Sequence, residues 1–137
     1  MSSKDERSAR EEFSERYSTR RDDVMDVIER SVIGAAWGAN GFTTRAQADE
    51  LAERLGLTSA MRLLDIGAGR GWPSLYLVQR TGCEAVVTDL PFEGLISARE
   101  RAEREDLRLL ACISASAREL PFRPESFDAI VHTDVLC

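Results

Sequence analysis

The fold of this chain is decided by residues 63–71, Leu-Leu-Asp-Ile-Gly-Ala-Gly-Arg-Gly, which predict a buried strand, a tight turn and the start of a helix. The apolar run is typical of the strand, and residues 72–78 continue with helical spacing. Because glycine has no Cβ, such a turn lets a ligand approach the backbone closely. The first N–H groups of the following helix lack partners within the helix. We therefore expect a nucleotide-like small molecule to bind here.

Segments of strand and helix pattern alternate after this turn. Strands are expected at about 62–66, 84–88, 108–113 and 127–132, and helices at about 72–80 and 92–104. Strands that alternate with helices form a parallel sheet covered by helices. The pattern therefore predicts an α/β fold.

Helices are also predicted before the first strand. Residues 1 to about 20 are densely charged and indicate a solvated helix or arm, on which Phe13 and Tyr17 form a short apolar stripe. A second helix is predicted from Asp22 to Ile33, where valines and isoleucines recur at helical spacing. Residues 44–47 match a capping box, which opens a third helix. We expect residues 1–41 to form an N-terminal helical arm or lid and residues 42–137 to form the main domain.

Composition excludes several classes of protein. A chain of 137 residues is one domain, and its net charge of −6 argues against nucleic acid as the main partner. Three cysteines, Cys83, Cys112 and Cys137, match no metal motif and form no disulfide framework. No secretory signal and no apolar run of ~18 residues is present. We expect a cytoplasmic protein with reduced thiols, no metal and no membrane partner.

The glycine turn departs from the dinucleotide-binding fingerprint G-x-G-x-x-G. Gly71 comes one residue early, and Trp72 stands where the third glycine is usual. A large indole there leaves less room for a pyrophosphate. Asp65 is expected at the strand's end facing the ligand, where it would repel phosphates and attract a cation or amine. This balance favours a positively charged ligand without phosphate.

Residues 65–71, Asp-Ile-Gly-Ala-Gly-Arg-Gly, resemble motif I of the class I S-adenosylmethionine-dependent methyltransferases, acid-x-Gly-x-Gly-x-Gly. In that family the turn holds the methionine end of the cofactor, with the acid near its amino group. Residues 86–90, Val-Val-Thr-Asp-Leu, look like the family's second strand. The resemblance implies that Asp89 accepts hydrogen bonds from both ribose hydroxyls, which the two oxygens of a carboxylate allow.

Two later blocks extend the resemblance over about residues 42–137. Residues 116–122 are similar to a block that usually reads Asp-Ala-x-x-Leu-Pro-Phe, whose Asp bonds the adenine amino group; Ser116 stands in its place and is either an adenine contact or a helix N-cap. Residues 127–132 look like the fourth strand, ending at His132, which is either a pocket residue or a general base. Trp37 is either core or an aromatic that closes over the cofactor. The implied cofactor-binding residues are Asp65, Gly67, Ala68, Gly69, Gly71, Asp89, Leu90, Ser116, Ala117 and His132.

The resemblance implies a Rossmann-like parallel sheet of seven strands, of which this chain supplies about four. We therefore expect a truncated form of a longer enzyme, with the fourth strand as an open edge able to self-associate. The implied function is methyl transfer from S-adenosylmethionine to a small molecule, or the cofactor-binding part of such an enzyme. No catalytic dyad is expected, because alignment supplies most of the catalysis. Two alternatives stay open: an NAD(P)-dependent oxidoreductase-type domain, and an inactive fragment that acts by protein association.

Overall fold

The computed structural model describes residues 4–134, in which helices and strands alternate as the sequence predicts. The helices of this part of the chain are α1 (Lys4–Ser18), α2 (Asp23–Ile33), α3 (Arg45–Arg54), α4 (Ser74–Thr81) and α5 (Phe92–Arg104). The strands are β1 (Arg62–Ile66), β2 (Glu84–Asp89), β3 (Leu109–Ser114) and β4 (Ala129–Val131). Cys137 lies outside the described residues.

The four strands form one parallel sheet in the order β3-β2-β1-β4. This confirms the α/β, Rossmann-like fold, with four strands among the described residues. β1 lies in the middle of the sheet, and its Leu63 and Leu64 are almost completely buried. β4 has three residues, half the predicted length, and pairs only with the segment 63–65. The carboxyl ends of β1 and β2 meet at one edge, where the glycine turn follows β1.

Local signals explain where the helices begin and end. Thr44 and Gln47 form the predicted capping box at the start of α3. α2 begins after Asp22, whose side chain accepts a hydrogen bond from the Met25 N–H at 2.8 Å. α4 begins at Ser74, two residues later than predicted, because the turn that carries the glycines extends through Trp72 and Pro73.

The main hydrophobic core joins α3, α4, α5 and the sheet. An aromatic cluster lies at its edge: the rings of Trp37, Trp72 and Tyr76 have centroids 5.5–6.0 Å apart. Trp37 is 9% exposed and packs in this core, which decides between the two roles that its sequence position left open.

Four apolar residues of α2 are not part of this core. Val24, Val27, Ile28 and Val32 are each 57–65% exposed. The buried residues of α2 are Glu29 and Ile33 instead. The helix is therefore where its periodicity places it, but the predicted apolar stripe faces away from the protein body.

Candidate functional site

A cavity of about 510 Å³ opens at the carboxyl edge of the sheet. Its walls come from α1, the loop that follows α2, the glycine turn, the end of β2 and the residues after β4. Ligands of open α/β sheets bind outside the carboxyl ends of the strands. The volume lies within the range of small-molecule sites.

Half of the ten predicted site residues line this cavity. These residues are Gly67, Ala68, Gly69, Asp89 and Leu90. They come from the glycine turn and from the end of β2, which lie side by side because β1 and β2 are paired in the sheet. The Gly67 and Ala68 N–H groups both donate to the Thr88 carbonyl, at 2.8 and 2.9 Å, and so tie the turn to β2.

Asp89 connects the turn to the cavity wall. Its Oδ2 accepts a hydrogen bond from the Gly69 N–H at 2.7 Å, and its Oδ1 accepts one from the Leu90 N–H at 2.8 Å. Burial raises the pKa of Asp89, whereas these two N–H groups act in the opposite direction. Each carboxylate oxygen keeps further capacity to accept hydrogen bonds. The side chain can therefore hold the turn and receive ligand hydroxyls at once.

Asp65 does not line the cavity. It is 1% exposed, Ser74 hydrogen-bonds its carboxyl group, and its Oδ2 has no hydrogen-bond partner among residues 4–134. Burial raises the pKa of Asp65 to about 8, so the group holds a proton at neutral pH. The structure thus differs from the expectation of an anionic carboxylate facing the ligand, because the end of β1 is enclosed by the turn and α4.

The other four predicted residues also lie away from the cavity wall. Gly71 packs against α4, where an added Cβ would lie 2.7 Å from Leu75 Cδ1. The Ser116 hydroxyl donates to Glu6 Oε1 at 2.5 Å and accepts from the Arg118 N–H at 3.1 Å, and so is covered by α1. Ala117 and His132 are exposed. Contact of these residues with a ligand stays a prediction.

Helix α1 closes one side of the cavity. Tyr17 is the buried residue of α1, and an added Cβ at Gly69 would lie 2.5 Å from its hydroxyl oxygen. Burial, and then the Asp89 carboxylate, raise the pKa of Tyr17 to about 12. The Phe13 ring stacks on Tyr17 with centroids 6.2 Å apart. The predicted apolar stripe of α1 is therefore present and faces the site.

Sequence reasoning missed Glu29, which shapes the loop after α2. Its carboxylate accepts hydrogen bonds from the N–H groups of Trp37, Gly38 and Ala39 at 2.8–3.1 Å, and it pairs with Arg21. Glu29 thereby holds two cavity-lining residues, Gly38 and Ala39, in place. A glutamate within a charged helix resembles a solvated residue, and no local pattern indicates that its carboxylate binds the N–H groups of the loop.

Asp134 was missed for a similar reason. It follows β4 and accepts hydrogen bonds from the Phe42 N–H, the Thr43 N–H and the Thr43 hydroxyl at 3.1, 3.2 and 2.7 Å. These bonds join residues about 90 positions apart, which no local pattern indicates. They close the cavity on the side of β4.

Two classes of site find no support in the part of the chain that the structure describes. Residues 4–134 contain no group of three or more histidine, cysteine or acidic side chains placed to hold a metal ion. None of the helices in this range is long and apolar enough to span a membrane.

The site agrees with what comparison of the sequence finds. A family model described as a methyltransferase domain matches residues 64–137, more than half of the chain. The chain belongs to this methyltransferase family. The match includes the glycine turn, Asp89 and the residues after β4, Thr133 and Asp134, all of which contribute to the cavity wall.

The names of curated relatives of this chain refer to different methyl acceptors or pathways. The chain is 37% identical to a ubiquinone/menaquinone biosynthesis C-methyltransferase of Dinoroseobacter shibae. The 91 aligned residues are 65% of this chain and 36% of that protein. It is 35% identical to the erythromycin 3''-O-methyltransferase of Saccharopolyspora erythraea. The 85 aligned residues are 61% of this chain and 28% of that protein. The chain thus spans about a third of the length of these relatives.

Solved structures support the fold. A putative S-adenosylmethionine-dependent methyltransferase of Methanococcus maripaludis superposes with a TM-score of 0.64 at 18% identity, over 86% of this chain and 54% of that one. A methyltransferase of Thiobacillus denitrificans in complex with S-adenosylhomocysteine superposes with a TM-score of 0.60 at 19% identity, over 83% and 44% of the two chains. At such identities the likeness concerns the fold.

Proposed function

We propose that this chain is the cofactor-binding part of an S-adenosylmethionine-dependent methyltransferase that acts on a small molecule. One observation carries the proposal: a half-buried carboxylate, Asp89, lies beside the glycine turn at the carboxyl edge of the sheet and accepts a hydrogen bond from the Gly69 N–H at 2.7 Å. This arrangement offers acceptors for a ribose and open backbone for the rest of a nucleoside. Family membership supports the same function.

The residues present fit the cofactor. The cavity, at about 510 Å³, has the volume of a small-molecule site, and the turn leaves no room for a side chain at Gly69, whose Cβ would lie 2.5 Å from the Tyr17 hydroxyl oxygen. Asp89 would hold the ribose hydroxyls, and residues 67–69 would lie against the methionine end. Asp65 lies beneath the turn, and its Oδ2 has no hydrogen-bond partner within the described range 4–134. Its charge becomes available to an ammonium group if the proton leaves.

Methyl transfer requires little acid–base or nucleophilic chemistry from these residues. The bound sulfonium supplies an electrophilic methyl group, and the protein's part is to orient the reactants and exclude water. Tyr17, Phe13 and Trp72 narrow the cavity with aromatic surface. Trp72 is fixed by its Nε1, which donates to the Thr43 carbonyl at 2.8 Å. Its position leaves less room for a pyrophosphate than the third glycine of a dinucleotide site.

The proposal extends to partners and location. The methyl acceptor is a small molecule, as the names of the quinone and erythromycin methyltransferase relatives suggest, and the net charge of −6 opposes nucleic acid. The β4 edge, where Ile130 is 53% exposed, is the proposed surface for self-association. The thiols of Cys83 and Cys112 are free, which supports a reducing compartment such as the cytoplasm.

Substitution of Asp89 tests the cofactor site. Asp89→Ala removes the acceptors offered to the ribose and should weaken S-adenosylhomocysteine binding by about 1–3 kcal/mol, the usual cost of losing hydrogen bonds to a charged group. Isothermal titration calorimetry measures the dissociation constant. Asp23→Ala, at an exposed position of α2, is the matched control and should bind as the unmodified chain does. Equal affinity of the two variants would place the ribose elsewhere.

A further inference from the structure

Polar contacts hold most of α1 against the protein. Tyr17 is its buried residue, and the rest of the helix presents partly or fully exposed side chains. Away from its C-terminus, the Ser14 hydroxyl donates to Glu93 Oε2 at 2.8 Å, and Glu6 accepts from Ser116 at 2.5 Å. A segment with so little apolar burial detaches at low free-energy cost. The contacts at the C-terminal end of α1 therefore determine the fraction of time for which α1 covers the cavity.

That end is held by Arg70, which lies in the glycine turn between Gly69 and Gly71. Its Nη2 lies 3.2, 3.0 and 3.2 Å from the carbonyl oxygens of Arg16, Tyr17 and Thr19. The last carbonyls of a helix lack partners within the helix, and a positive charge near them is favourable. The guanidinium carbon also lies 5.4 Å from the centre of the Tyr17 ring.

The Arg70 side chain also contacts the loop after α2, which forms a third wall of the cavity. A Cβ added at Gly38 would lie 2.8 Å from Arg70 Cδ, so Arg70 runs between α1 and the loop that Glu29 holds. Its own backbone belongs to the turn, whose Gly69 N–H is bound to Asp89. One residue thus joins three segments that line the cavity.

We propose that Arg70 is a positioning residue for cofactor binding. By donating hydrogen bonds to carbonyl oxygens at the C-terminal end of α1, it couples closure of that helix over the cavity to the ordered state of the glycine turn. This inference rests on the proposed function, because the ligand that benefits from closure is the cofactor. An ordered turn fixes the backbone of Arg70, and the Arg70 side chain holds Tyr17 against the turn. A ligand that contacts both the glycine turn and α1 therefore binds more tightly when both are held in place.

Three variants test the coupling. Arg70→Met keeps the length of the side chain but removes its donors and charge, and should raise the dissociation constant for S-adenosylhomocysteine at least tenfold. Arg70→Lys keeps donors and charge, and should restore affinity to within about threefold of the unmodified chain. Arg54→Met, on the exposed face of α3, is the control and should leave affinity unchanged. Calorimetry gives the constants.

Hydrogen exchange separates positioning from general stability. In Arg70→Met the amides of residues 4–20 should exchange at least tenfold faster, whereas those of β1 and β2 should be unchanged. Unchanged exchange of residues 4–20, or equal affinity in Arg70→Met and Arg54→Met, would overturn the inference. Faster exchange throughout the chain would also overturn it, because Arg70 would then support the whole fold. If the unmodified chain binds no S-adenosylhomocysteine, the proposed function fails and the coupling to cofactor fails with it.

Discussion

Gly69→Ala is the substitution whose effect the structure defines best. Gly69 has a φ of +53°, and a Cβ there would lie 2.5 Å from the Tyr17 hydroxyl oxygen and 3.0 Å from its Cζ. An alanine in the left-handed region costs about 1–2 kcal/mol. Relief of the contact requires Tyr17 to move by about 1 Å, since non-bonded atoms prefer separations near 3.5 Å. Tyr17 carries α1 with it, so the variant should open one wall of the cavity.

Gly56→Ala is the matched control for this substitution. Gly56 has a φ of +59° and, apart from its chain neighbours, no heavy atom of residues 4–134 within 4 Å of the position of its Cβ, so it shares the backbone strain and lacks the contact. Gly56→Ala should lose about 1–2 kcal/mol in urea unfolding from the backbone strain, and Gly69→Ala should lose more because its Cβ also meets Tyr17. Only Gly69→Ala should also weaken S-adenosylhomocysteine binding, by tenfold or more, which is about 1.4 kcal/mol.

Tyr17→Phe separates the contact from the backbone strain. It removes the hydroxyl that Cβ would meet, so in the Gly69→Ala background it should restore part of the lost stability, with a coupling energy of at least about 0.5 kcal/mol. If Gly69→Ala and Gly56→Ala changed affinity equally, the space above the turn would not belong to the binding site. A coupling energy of zero would mean that Tyr17 does not rest on Gly69.

Two further predictions concern buried carboxyl groups. The pKa of Asp65 is raised from 3.8 to about 8, so the folded chain holds a proton that the unfolded chain releases, and stability should fall as pH rises between these values by up to about 1.4 kcal/mol per pH unit. Asp65→Asn should lose this slope in urea unfolding, and an unchanged slope would refute the assignment. Glu29→Ala leaves three loop N–H groups without their acceptor and should cost about 3 kcal/mol or more. The exposed control Glu50→Ala should cost at most about 0.5 kcal/mol in the same assay, and an equal cost would show that Glu29 does not hold the loop.

Much of the fold could be predicted because its signals are local. The apolar run before Asp65 and the glycines after it mark β1 and its turn, and the capping box at Thr44 marks α3. The parallel sheet follows from the alternation of strands and helices. β4 was predicted too long, because Phe127, Asp128 and His132 continue the strand-like pattern but have no partner in the ladder with β1; the Asp128 N–H still donates to the Arg62 carbonyl at 2.9 Å.

The site was predictable only where its residues lie at or just after the ends of strands. Gly69 and Asp89 do so, and both line the cavity. The burial of Asp65 could not be read from the chain, because alternation along a strand does not reveal what lies beneath a turn. Arg70 and Glu29 act on backbone groups of other segments, and such contacts leave no trace in local pattern. They are the residues that give the cavity its shape.

The most direct test of the account is calorimetric titration of the unmodified chain with S-adenosylmethionine and, separately, with NAD. The account predicts saturable binding of S-adenosylmethionine at one site per chain and no heat from NAD, because Trp72 narrows the place that a pyrophosphate needs. Tight binding of NAD with no response to S-adenosylmethionine would contradict it.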